Sequence, residues 1–246
     1  MKFLLTCFFI TAISCSLVVG KSKKQVHHYS KSSITYMLPV RVKPDLVDVA
    51  NIKFNVIYAG DYRLYEFKSR KTIGEAVDDT VRLVKDTIIN EYFVYKLGNT
   101  HGFHLMQLTD GFLNKQRVDS FLTARALYKI RVDAIKEHAS LVRSFYSNDD
   151  MVEVYNPEKN NGIDSVYFYY NKGKRDIAFS LSQKLDSLHQ SKLYKMMVLT
   201  PKDTTAYADY ANKYRWISLE LASQPIDNKA ILDAFFARFK AYNAQQ

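Results

Sequence analysis

Apolar and polar positions alternate with a period of two through much of the first half of the chain, the pattern of half-buried β-strands. Residues 33–42 (SITYMLPVRV) predict a strand. Pro39 within it has no amide hydrogen for a ladder, so this strand is expected at an edge or bent at that point. Residues 52–58 and 62–67 are β-branched and aromatic runs on either side of Ala59-Gly60-Asp61, a hairpin signal. Residues 87–96 predict another strand, which Gly98-Asn99-Thr100-His101-Gly102 turns into residues 103–108. Further on, residues 165–170 and 176–181 flank Asn171-Lys172-Gly173-Lys174 as a second aromatic hairpin. Residues 193–199 and 215–221 read as further strands.

The period changes to a helical one in several places. Ile73, Ala76, Val77, Thr80, Val81 and Val84 recur at helical spacing, with Glu75, Asp78 and Asp79 at the start, and predict a short helix over 72–84. Phe121, Tyr128, Val132, Ile135, Ala139, Val142 and Tyr146 form one stripe at steps of three, four and seven residues. With no Gly or Pro over 112–156, they predict one long helix starting at Asp119 or Ser120 and ending at Ser147-Asn148-Asp149-Asp150. Residues 182–189 predict a short helix, 202–213 a helical start, and 228–242 a terminal amphipathic helix capped by Asp227, with Ile231, Leu232, Phe235, Phe236 and Phe239 on its apolar face.

The fold class that follows is α+β: a curved antiparallel sheet of hairpins with one long helix and a C-terminal amphipathic helix packed on it. A weak echo links residues 92–105 to 167–181, each an aromatic run followed by Gly, Phe and Leu. Two ordinary hairpins in one sheet account for it more simply than a duplication. The most loop-like stretch is 156–162 (NPEKNNG), where a boundary between sub-lobes would fall.

The chain begins with Lys2 and an apolar run from Phe3 to Gly20, stopped by Lys21-Ser22-Lys23-Lys24, which reads as an export signal over residues 1–20. Cleavage after Gly20 would release a soluble periplasmic or secreted protein. Ala12-Ile13-Ser14-Cys15 resembles a bacterial lipobox, which makes Cys15 the candidate for lipidation, giving an outer-membrane or periplasmic lipoprotein. Both readings stay open, as does an uncleaved anchor. Residues 21–32 read as a basic flexible tether and 33–246 as the body. Nine of the ten net positive charges lie beyond the leader, and both cysteines, Cys7 and Cys15, lie inside it. A mature body therefore has no thiol chemistry, disulfide or thiolate-bound metal. Its size, 47% hydrophobic residues and few Gly and Pro exclude a disordered or collagen-like chain.

Catalytic signatures are sparse. There is no Gly-x-Ser-x-Gly elbow, no helical His pair, and no Gly-rich phosphate loop after a strand. His101 and His104, three apart on a strand, point to opposite faces, so no metal is expected, and no cofactor. Asp149, Asp150 and Glu153 are a local acidic group; paired carboxylates do acid/base work only where burial separates their pKa values. The 18 Tyr and 15 Phe stand out more. Tyr92, Tyr95, Tyr167 and Tyr169 sit on strands apolar on both sides, and are either core or a ligand platform. The expected function is an exported bacterial envelope protein, a non-enzymatic binding or assembly component. Its partner would be an envelope protein, a glycan or a peptide; nucleic acid is excluded by export. The alternative is a cofactor-independent hydrolase of cell-wall or glycan material built on a scattered acid pair such as Asp149 or Glu153.

Overall fold

The computed structural model describes residues 28–245, apart from 44–45, 78–79, 126–131, 158–161 and 203–214. The leader with Cys15, most of the tether and the helix expected over 202–213 therefore lie outside the described residues. Among the described residues, eleven strands form a single antiparallel sheet in the order β6-β5-β4-β3-β2-β1-β11-β10-β9-β8-β7. They are β1 (Ser30–Lys43), β2 (Leu46–Ala59), β3 (Tyr62–Val77), β4 (Thr80–Lys96), β5 (His101–Leu105), β6 (Asn114–Arg117), β7 (Ala139–Ser147), β8 (Asp150–Pro157), β9 (Ser165–Asn171), β10 (Lys192–Leu199) and β11 (Trp216–Gln224). The helices are α1 (Val118–Ala124), α2 (Val132–Glu137), α3 (Gln183–His189) and α4 (Lys229–Asn243). Each half of the sheet is a meander of sequential hairpins. The halves meet where the last strand returns to pair with the first, Lys31↔Gln224 through Met37↔Ser218.

This is a mostly β architecture and not the α+β fold with one long helix that the periodicity predicts. The expected helix over 121–146 divides into the roughly two turns of α1, the short α2, and β7. Residues 139–147 (ASLVRSFYS) include Val142, Phe145 and Tyr146, types that suit a pleated strand, and they pair with β8 from Ala139↔Pro157 to Ser147↔Asp150. The residues read as a helix stop form the hairpin turn, with Asn148 in the left-handed region at φ 55°. The helix expected over 72–84 is likewise the end of the β3–β4 hairpin, paired through Val77↔Thr80. Its Thr, Ile and Val residues favour the ladder once β3 is anchored to β4.

Smaller expectations also shift. β1 is central, not an edge. Pro39 is nonetheless tolerated, because the β1–β11 pairing stops two residues before it, at Met37. Residues 176–181 do not form a hairpin arm with β9. β10 takes that place, from Lys192↔Asn171 to Leu199↔Ser165, and the displaced segment crosses the sheet face as a strap. The terminal helix forms where expected, but its N-cap is Asn228, with no side-chain cap bond; Asp227 lies instead near the Lys31 ammonium, at 3.5 Å.

Helices cover one face along both halves of the sheet and the opposite face over β2 to β5. On one face, α1 lays Val118, Phe121 and Leu122 on Phe54, Phe67, Phe93 and Tyr95. Phe93 and Phe121 stack at 4.0 Å between ring centroids. Gly102 of β5 makes that packing possible: a Cβ there would meet the Phe93 ring and the Val94 carbonyl oxygen, each at 2.6 Å. Farther along the same face, Val132 of α2 and Leu185 of α3 join Val166, Phe168, Tyr170 and Met196. On the opposite face, α4 buries Leu232, Phe235, Phe236 and Phe239 against Ile57, Leu64, Val94 and Phe103. Among the described residues no helix is long and apolar enough to cross a membrane.

Candidate functional site

The connection from β6 to β7 has to carry the chain from one edge of the sheet to the other, and α1 and α2 lie along that route. They do not close over the sheet. Between them, above the middle strands, is an open cavity of about 950 Å³. Ile34 and Tyr36 of β1, Phe54 of β2 and Leu219 of β11 line its base; Thr123 of α1 and Val132 and Ala134 of α2 line its walls. Burial pushes the Tyr36 hydroxyl up to about 12, so the phenol is neutral at physiological pH.

The third wall is the strap, through Phe179, Ser180 and Leu181. Its irregular backbone is tied at both polar groups. The Phe179 amide donates to Ser32 Oγ at 3.2 Å, and its carbonyl accepts from the Lys192 ammonium at 3.2 Å. Asp186 of α3 accepts from Ser180 Oγ at 2.7 Å, from Lys192 Nζ at 2.9 Å and from the Leu193 amide at 2.7 Å, which joins strap, helix and β10. Ser182 caps α3 by accepting from the Leu185 amide at 3.0 Å and donates to Asp133 of α2. The cavity wall is therefore held by bonds to three separate elements.

The cavity rim is acidic. Asp119, Asp133 and Glu137 line it with His138, and among the described residues neither Lys nor Arg does. Among the described residues, two nearby cations are engaged elsewhere: Arg125 pairs with Glu91, and Lys136 with Glu153 at 3.1 Å. Glu137 has an exposed partner, Lys184, at 3.5 Å.

The four tyrosines singled out from sequence do not share one surface. Tyr95 is buried under α1 and stacked on Tyr65 at 6.1 Å. Tyr92 packs at the margin of the α4 cluster on the other face. Tyr167 and Tyr169 lie half-buried side by side on β9, on the face opposite Phe168, with the Lys195 ammonium 5.2 Å from the Tyr169 ring centroid. The cavity residues went unnoticed in the sequence because they come from positions as far apart as 34 and 219 and follow no local spacing.

The acidic residues separate as well. Asp149 lies in the β7–β8 turn and lines a smaller cavity of about 470 Å³ with Tyr170, His189 and Ser191. Glu153 is buried on β8, and one of its oxygens accepts from both Lys136, at 3.1 Å, and Tyr155, at 2.9 Å. His189 stands 3.6 Å from that carboxylate and 3.3 Å from the Lys136 ammonium. On the other half of the sheet, His104 is fixed by Glu91 at 3.2 Å on Nε2 and by Asn114 at 3.2 Å on Nδ1. No group of three or more potential metal ligands occurs among the described residues.

Burial lowers the His189 pKa below its ordinary range; Glu153 pulls it back up in part, and Lys136 adds to the lowering. The folded state thus binds fewer protons than the unfolded chain over the interval between the depressed pKa and about 6.5. Stability is complete above that interval and falls as the pH drops through it. Urea melts between about pH 7.5 and pH 5 will show the midpoint declining, and His189→Gln will flatten the decline. An unchanged slope in the variant would assign the acid sensitivity to other groups.

No protein-family model matches the chain, and no curated protein does.

Proposed function

We propose that the chain is an exported, non-enzymatic binding protein of the bacterial envelope, and that its ligand is a small amphiphile held between α1, α2 and the strap. The cavity carries this reading. Its volume of about 950 Å³ lies at the upper end of the range for small-molecule sites, about 300–1,000 Å³. An apolar base of Ile34, Phe54 and Leu219 suits an alkyl or aryl body. The acidic rim, in a chain of net charge +10, suits a cationic end and opposes an anionic one. The export signal supports the location, and the scarcity of catalytic motifs supports binding over turnover.

The test uses the mature protein from its native envelope and two amphiphiles of equal chain length, dodecyltrimethylammonium and dodecanoate, below their micellar concentrations. Calorimetric titration should show saturable binding of the cation. Partly exposed rim carboxylates contribute about 0.5–1 kcal/mol each, so the anion should bind about tenfold or more weakly. Thr123→Trp places an indole in the cavity mouth from an exposed position on α1 and should abolish binding without loss of fold. Binding of neither probe, or equal binding in the variant, would overturn the proposal. Hydrolysis of cell-wall glycan that is lost in Glu153→Gln would favour the hydrolase instead.

A further inference from the structure

The two edges of the sheet differ in how they meet solvent. β6 is four residues long and reads Asn-Lys-Gln-Arg. A short, charged edge is the usual defence against pairing with another strand. β7 is nine residues long, among the described residues pairs only with β8, and carries one charged side chain, Arg143. Its residues are exposed from Ser140 to Ser147. Leu141, Val142, Phe145 and Tyr146 are 52%, 61%, 38% and 77% exposed. Such an edge presents unused backbone donors and acceptors beside apolar side chains.

We propose that β7 pairs antiparallel with β7 of a second copy of this chain, about a two-fold axis at Ser144. The occupant follows from the sequence of the strand. Centred on Ser144, the register sets Val142 against Tyr146 of the second copy, an aliphatic–aromatic pair, and Arg143 against Phe145 of the second copy. Arg143 already sits over its own Phe145 ring, at 5.1 Å from the centroid, so the cation–π preference is met in either chain. Centring the pair on Arg143 would place two guanidinium groups opposite each other, which is unfavourable. The register shift between Leu141 and Arg143 in the β7–β8 ladder bounds the pairing on its N-terminal side and leaves 142–146 as the matching stretch. The contact is isologous, so one dimer satisfies both β7 edges and growth stops.

Ser144→Cys tests the register. Opposed Cα atoms in an antiparallel pair lie about 4.5–5.5 Å apart, within disulfide reach, and residues 21–246 hold no other cysteine. Mild oxidation of the mature variant should give a dimer whose linked peptide joins residue 144 to residue 144. Sedimentation of the unaltered mature protein should show a dimer that dissociates on dilution. Val142→Lys and Tyr146→Lys, both at exposed positions, should make it monomeric with an unchanged circular dichroism spectrum. A monomer at every concentration without the 144–144 link would overturn the proposal, and so would a dimer that survives both lysine variants. Capture of a different envelope protein along β7 by a monomeric chain would overturn it as well and assign the edge to a foreign strand.

Discussion

Replacing Phe236 by alanine will lower the free energy of unfolding by about 3–5 kcal/mol, the cost of emptying a fully buried aromatic site. Phe236 is 0% exposed and touches rings on two sides. Tyr29, just before β1, stacks on it at 5.6 Å, and Phe235 meets it edge-on at 5.3 Å. Few polar bonds could offset the loss. The N-cap of α4 makes no side-chain bond, and the helix is tied to the start of the body by Tyr29 donating to Asp233 at 2.7 Å. Arg238 adds exposed hydrogen bonds to the Leu108 and Thr109 carbonyls, and the buried part of the α4 docking is its four apolar side chains. Urea melts of wild type and variant measure the effect; a change under about 1 kcal/mol would mean that the face relaxes around the gap.

Glu153→Ala will cost about 2–3 kcal/mol. Removing one partner of a fully buried ion pair costs about 3–5 kcal/mol, because the other charge is stranded. The Lys136 side chain keeps 21% of its exposure and can still reach water, which lowers the figure. The variant also takes away the acceptor of the Tyr155 hydroxyl, buried at 4% exposure. The double variant Glu153→Leu with Lys136→Met should regain part of the loss, because neither charge then needs a partner. A double variant no more stable than Glu153→Ala alone would show that the carboxylate acts through Tyr155 and His189 more than through Lys136.

Much of the strand content was legible because β-branched and aromatic alternation is a local signal. Gly60, with φ 62°, marks the β2–β3 turn, and the runs beside it form the ladder Phe54↔Phe67 to Ala59↔Tyr62. α3 and α4 were legible by apolar spacing. The long helix was misread because residues 139–146 satisfy a helical stripe and a strand composition at once. Pairing with β8, whose Val152 and Val154 are core residues, decides between them. The useful signal is Asn148-Asp149 between two β-rich runs, a hairpin turn where the helical stripe predicts a helix end. The strap was misread for a related reason: Ile177, Phe179 and Leu181 alternate as a strand would, but the edge of β9 they would join is taken by β10. The cavity had no local signature, since its base joins the first two strands to the last.

The pairing of β1 with β11 has a consequence for how the protein is made. Lys31 and Gln224 are partners across 193 positions of sequence, so this seam requires closure of almost the entire chain and carries a large entropic cost before any contact is gained. On a ribosome, β1 waits unpaired on that side until nearly the last strand emerges. Each meander can zip locally in the meantime, but the cavity base, shared by β1, β2 and β11, cannot exist before then. A ligand that binds there can act only on finished molecules, so premature capture during synthesis is ruled out by the order of the strands.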